Sequence, residues 1–180
     1  MQFLKHIFIT ILICISHFSF SQNNTIDSLN KLLITIPQDC DKAAVLFKIG
    51  KEYISNNQNE PAIKFGLKSL YVALKYNCDS ITLQIYNMLG IAYDDNGDYP
   101  QAKKSFKLGL QLSTRLNDLD NMSVFYTNLG ETCRSQADYA NALEYFLKAL
   151  KIDEASKNEN RLVSDYFILA LLYGNLDEVS

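Results

Sequence analysis

The sequence predicts an all-α fold, a solenoid of antiparallel helix pairs, and three observations carry that expectation. The first is a periodicity. Gly50, Gly90, Gly130 and Ala170 stand forty residues apart, and the neighbouring columns fall into the same register. One residue earlier come Ile49, Leu89, Leu129 and Leu169; three later come Tyr53, Tyr93, Cys133 and Tyr173; four earlier come Leu46, Tyr86, Tyr126 and Tyr166. Further on, Ala62, Ala102 and Ala142 align, then Phe106 and Phe146 opposite Gly66, then Ser69, Gly109 and Ala149. The second observation is the spacing inside each unit. Tyr86, Leu89, Gly90 and Tyr93 lie on one side of a helix, and Ala142, Phe146, Ala149 and Leu150 do the same for the helix that follows. The third is punctuation: Asn96 to Pro100 supplies glycine for a helix end and proline for the first turn of the next helix.

Taken in order, the elements are these. Residues 1–21 read as a secretory signal peptide, with a basic start at Lys5, an apolar stretch from Ile7 to Ile15, and small Ser19 and Ser21 placed for cleavage before Gln22. The apolar stretch falls short of the roughly 20 residues that span a bilayer, so the mature chain is expected to hold no stable membrane span. Residues 22–40 form a packing helix and linker, with Ile26, Leu29, Leu33 and Ile36 at helical spacing to cover the open face of the first unit. Units then run over about 41–79, 80–119 and 120–159, with a partial unit over 160–180. Each first helix has a polar residue placed to cap it: Asp79 or Ser80, Asp118 or Asp120, Asn158 or Asn160. The recurring glycine is expected to let a neighbouring helix backbone approach closely, since an interior glycine otherwise costs about 1 kcal/mol relative to alanine. The last helix is apolar on more than one side, through Phe167, Ile168, Leu171 and Leu172. The array therefore reads as a fragment of a longer one, or as one whose last face a partner covers.

Tyr86-x2-Leu89-Gly90-x2-Tyr93 followed by Ala102-x3-Phe106 resembles the tetratricopeptide repeat signature, with tyrosine where that family prefers tryptophan. Tyr126, Leu129, Gly130, Ala142, Phe146 and Ala149 repeat it. The period of forty exceeds the family's usual length of about 34, and Thr114 and Glu154 stand where the family places proline. Similar long-period arrays occur in bacterial signalling proteins. The resemblance covers about residues 41 to 180. It implies a right-handed superhelix whose first helices line a concave groove that receives peptide segments.

Composition narrows the function. The chain is 48% apolar and 21% charged with a net charge of -3, so it lacks the basic surplus of a nucleic-acid-binding protein. Both histidines, His6 and His17, fall in the leader, which leaves the mature chain without the commonest general base and metal ligand. No glycine loop suited to phosphate occurs. Cys133 occupies a column that is otherwise tyrosine and reads as a buried structural thiol rather than a nucleophile. Cys40 and Cys78 each precede a first helix; free thiols are the expectation, and a disulfide in an oxidising compartment is the alternative. The paired carboxylates Asp94–Asp95, Asp118–Asp120 and Asp153–Glu154 read as caps and solvated faces, because no loop has the ligand density of a calcium site. No catalytic residue, cofactor or metal site is expected.

The groove stripe is readable by spacing. Gln84, Asn87, Ile91 and Asp94 run three, four and three apart; Val124, Thr127, Glu131 and Arg134 repeat the pattern, and Lys51 shares a column with Ile91 and Glu131. Asn128 matches the asparagine with which many tetratricopeptide proteins hold a ligand's backbone, although Lys48 and Met88 replace it in the neighbouring units. The candidate groove-binding residues are therefore Lys51, Gln84, Asn87, Ile91, Asp94, Thr127, Asn128, Glu131 and Arg134. The expected function is that of an exported, non-enzymatic scaffold of the bacterial periplasm or cell envelope that binds a protein or peptide. The alternative is the sensory portion of a larger signalling receptor of histidine kinase or transcriptional regulator type.

Overall fold

The computed structural model describes residues 25–177, with side chains to residue 174, so the expected signal peptide lies outside the described residues. The described residues form eight helices and no strand. Helix α1 covers residues 25–35. It is followed by α2 Cys40–Ser55, α3 Asn59–Lys75, α4 Asp79–Asp95, α5 Tyr99–Arg115, α6 Leu119–Ser135, α7 Tyr139–Ser156 and α8 Glu159–Asp177. Each helix packs on the next, and α4 also touches α2 and α6, so α2, α4 and α6 form one layer while α3, α5 and α7 form the other. This is an α-solenoid.

Short polar signals set the helix ends. The side chains of Asp98, Asp118 and Asp138 accept from the backbone N–H three residues on, at 3.3, 3.0 and 3.4 Å, and so cap α5, α6 and α7. Asn158 does the same for the start of α8 at 3.3 Å. Neither Asp79 nor Ser80 caps α4; the residue before that helix is Cys78, which makes no side-chain cap bond. Asp79 instead meets Arg115 at 3.1 Å on the surface. At the other ends the carbonyls of Tyr53, Tyr93 and Cys133 accept from the N–H groups of Gln58, Asp98 and Asp138 at 2.9, 2.8 and 2.9 Å. These six-to-one closures need one residue at positive φ, and Asn57, Gly97 and Ala137 supply it.

The core is built by the repeat columns. Phe106 and Phe146 are 2% exposed, and Ala62, Ala102 and Ala142 are fully buried. A methyl group on Gly90 would stand 2.2 Å from the Phe106 ring, and one on Gly130 would stand 2.5 Å from the Phe146 ring. Gly90, Gly109 and Gly130 thus make room for an aromatic side chain, not for a backbone as the sequence suggested, whereas Gly50 faces the Met88 side chain and the Ala62 carbonyl. The reason is that phenylalanine recurs sixteen residues after glycine and folds back onto it across the helix pair. Ala170, by contrast, is exposed, because no described helix covers that side of α8.

Helix α1 closes the first unit: Ile26, Leu29, Leu33 and Ile36 pack with Val45, Ile49, Tyr53 and Phe65. Cys40 and Cys78 are joined as a disulfide with Cα atoms 5.7 Å apart, which corrects the expectation of free thiols. The physical reason is adjacency. Successive first helices stack side by side, so their N-terminal ends meet at one edge. Cys133 is free and 2% exposed. On α8, Val163, Tyr166, Phe167, Leu171 and Tyr173 are each more than half exposed. No helix among the described residues is long and apolar enough to cross a membrane.

Candidate functional site

Helices α2, α4, α6 and α8 present one continuous face because side chains three and four apart project to the same side. Between α2 and α4 that face holds a cavity of about 310 Å³ lined by Phe47, Lys51, Ile54, Ser55, Gln84, Asn87, Met88, Ile91 and Asn121. Its walls are apolar at Phe47, Ile54, Met88 and Ile91 and polar elsewhere, the mixture by which concave sites hold and orient a ligand. A smaller cavity of about 140 Å³ continues toward α6, past Ile91, Asp94, Asp95, Asn128 and Glu131.

Hydrogen bonding separates committed groups from available ones. Asn128 Nδ2 donates to Asn87 Oδ1 at 2.6 Å, tying α6 to α4, so part of each amide is already used. Arg134 donates twice to Glu131, through Nε at 2.9 Å and an η nitrogen at 2.6 Å. Thr127 donates to the Ser123 carbonyl at 3.1 Å. Asp94 Oδ1 is buried and has no partner. An unpaired buried acceptor costs roughly 1–3 kcal/mol, which a donor on a ligand would recover.

The expected stripe is thus divided among cavities. Lys51, Gln84, Asn87 and Ile91 share the first; Ile91, Asp94, Asn128 and Glu131 share the second; Thr127 and Asn128 also wall a third, near α8. Arg134 lines none of these three and is held against Glu131. Sequence reasoning missed Phe47, Ile54 and Met88. They share columns with the groove candidates Asn87 and Thr127, Asp94 and Arg134, and Asn128, so the register was the signal that could have found them, and their apolar type hid it.

A polar junction joins α6, α7 and α8. Ser123 Oγ donates to Asp153 Oδ2 in the interior, where both residues are about 1% exposed. Arg161 donates to the Asp120 carbonyl at 3.0 Å, to Asp120 Oδ1 at 2.9 Å and to Asp153 Oδ1 at 3.3 Å. Asp165, 6% exposed, faces this junction with Oδ2 unpartnered. Burial first, then the charge of Asp153 and a hydrogen bond to it, push the Asp165 carboxyl up to about 6, against the opposing pull of Arg161.

That shift fixes the sign of a pH effect. A carboxyl whose folded value lies above its unfolded value of 3.8 favours folding below that value. The contribution is then lost as pH rises through about 6. Two pH units correspond to about 3 kcal/mol. Asp165→Asn is therefore expected to raise stability by up to about 3 kcal/mol at pH 7.5 and to change it little at pH 4. Urea unfolding of both proteins at the two pH values checks this, and an equal difference at both would contradict it.

Three comparisons place this geometry among known proteins. Residues 81–155 match the tetratricopeptide repeat family model. Response regulator aspartate phosphatase A of Bacillus subtilis is 25% identical over 145 residues, which are 79% of this chain and 38% of that protein. The crystal structure of aspartyl phosphate phosphatase F from Bacillus subtilis superposes with a TM-score of 0.78 at 18% identity, over 89% of this chain and 45% of that one. A Rap protein complexed with competence and sporulation factor superposes at 0.71 with 23% identity, over 90% and 48%. The chain spans less than half the length of each of these three relatives.

Proposed function

We propose that the chain, whose residues 81–155 match the tetratricopeptide repeat family model, is an exported, non-catalytic scaffold that holds a peptide segment of a partner protein along α2, α4 and α6. The observation that carries this reading is the 310 Å³ cavity between α2 and α4, with Phe47, Met88 and Ile91 for an apolar side chain and Lys51, Gln84 and Asn87 around them. Asp94, whose buried Oδ1 lacks a partner, offers an acceptor for a peptide N–H farther along the same face. The relative named a phosphatase is 25% identical and is spanned over 38% of its length, so its activity is not carried over to this chain. Export to an oxidising compartment is supported by the leader-like residues 1–21 and the Cys40–Cys78 bond.

The test is capture from cell-envelope extract after crosslinking, comparing the wild-type chain with Asn87→Ala/Glu131→Ala/Arg134→Ala. The expected result is a specific partner captured by the wild type and reduced roughly tenfold in the variant, equivalent to about 1.4 kcal/mol, with helix content unchanged. Equal capture by both proteins sinks the groove assignment. A second reading, the sensory portion of a larger signalling receptor, is favoured by α8. Tyr166, Ala170 and Tyr173 are exposed in the columns of Tyr86, Gly90 and Tyr93, where α5 packs on α4. Reading the coding DNA past codon 180 separates the two, since a membrane helix and output domain would support the receptor.

A further inference from the structure

Three repeat columns that hold only apolar or small residues in the first two units take up a serine or an aspartate together at one place. Ala43 and Leu83 become Ser123; Ala73 and Ser113 become Asp153; Val45, Ile85 and Phe125 become Asp165. All three substitutions meet at the junction of α6, α7 and α8. A side chain that breaks its own column, is 94% buried because only 6% is exposed, and has an oxygen without a partner reduces stability where it stands. Such positions concentrate where function needs them.

Beside Asp165 lies a cavity of about 250 Å³ lined by Ser123, Val124, Thr127, Asn128, Arg161, Ser164, Asp165 and Ile168. Its charges do not balance. The guanidinium of Arg161 is engaged by Asp120 and Asp153, which leaves Asp165 with no cation of its own. The hydroxyls of Thr127 and Ser164 donate to backbone carbonyls at 3.1 and 3.4 Å, so their oxygens remain as acceptors toward the cavity. An anionic carboxylate, acceptor oxygens and an apolar wall at Val124 and Ile168 describe a receptor for a primary ammonium group on an aliphatic stem.

We propose that this cavity binds a primary ammonium group, with Asp165 as its counter-ion. Three carboxylates, Asp120, Asp153 and Asp165, stand against the single guanidinium of Arg161. An arriving cation therefore neutralises surplus negative charge. An anion would have to displace Asp153 or Asp120 from Arg161. The ammonium competes with a proton: in its absence Asp165 is protonated at lower pH and shares that proton with Asp153. Binding releases the proton, so affinity rises with pH through the range in which Asp165 ionises. That the group arrives on a peptide lying along α6 rests on the groove reading; the ammonium site itself does not.

Asp165 in the full chain, carrying ¹³C-labelled aspartate, is followed by carboxyl NMR while butylammonium chloride is added to the millimolar range expected of one ion pair. The expected result is a saturable shift of the Asp165 signal and a fall in its titration midpoint by about one unit, a tenfold preference for the ionised acid. Asp165→Asn abolishes saturable binding, read on the Ile168 methyl signal, while the protein stays folded. Nα-acetyl-lysine amide and glycylglycine amide then distinguish a side-chain ammonium from a chain-terminal one. A response matched by sodium chloride, no saturable response, or full binding by Asp165→Asn overturns the proposal. Envelope capture through Asn87, Glu131 and Arg134 is a separate readout, so either idea can fail alone.

Discussion

Phe106→Ala is expected to destabilise the protein by about 3–5 kcal/mol, a large fraction of the 5–15 kcal/mol that holds a typical domain together. The ring is 2% exposed and lies against Gly90, with Ala102, Leu83, Tyr86 and Leu129 in the same cluster. The ring sits between α4 and α5, and neither helix can close the void without moving its neighbours. The complementary change tests the same contact from the other side. Gly90→Ala should improve helix propensity by about 1 kcal/mol, yet its methyl group would stand 2.2 Å from Phe106, so a net loss of about 1–3 kcal/mol is expected. Combining Gly90→Ala with Phe106→Leu should cost less than the sum of the single changes, because the smaller side chain leaves room for the methyl. Urea melts followed by circular dichroism give the cycle. Strict additivity would mean that the glycine column is not maintained by this contact.

Reduction of the Cys40–Cys78 bond should lower stability by about 2–4 kcal/mol, since it releases a closed loop of 38 residues in the unfolded chain. The bond ties the start of α2 to the residue before α4, where Cys78 makes no side-chain cap bond to α4. The loss should therefore be concentrated in α1, α2 and α3, and hydrogen exchange should rise there before it rises in α6 and α7. In Cys78→Ala, reductant should have no effect, and the variant should resemble the reduced wild type. A wild-type urea midpoint unchanged by reductant would rule the bond out as a stabilising element.

Legibility differed between parts of the chain for physical reasons. The helix pairs were readable because a recurring contact imposes a recurring residue: Leu89 and Leu129 are 2% and 1% exposed, Ala102 and Ala142 fully buried. Asp165 was not singled out, although its signal was present as a break in the Val45, Ile85, Phe125 column. A column break acquires meaning only when its neighbours break with it, and Asp153 and Ser123 lie 12 and 42 residues away in sequence. Asn87 and Asn128 were both read as groove residues, but nothing local indicated that they bond to each other. Of the two caps that local chemistry offered for α6, Asp118 or Asp120, the structure uses Asp118. Neither Asp79 nor Ser80 caps α4, because cysteine, a poor cap, holds the position before that helix.

What the sequence determined by itself is the all-α class, the alternation of two helix faces and the location of the buried columns, because each depends on periodicity along one chain. What only the tertiary structure decided is how side chains from different units meet. The ring of Phe106 fills the space at Gly90, Cys40 pairs with Cys78, Asn128 donates to Asn87, and Asp165 faces Asp153 without a cation. Periodicity fixes which way a residue points, but stacking fixes what stands opposite it. The chemistry of the groove and of the α6–α7–α8 junction depends on the second.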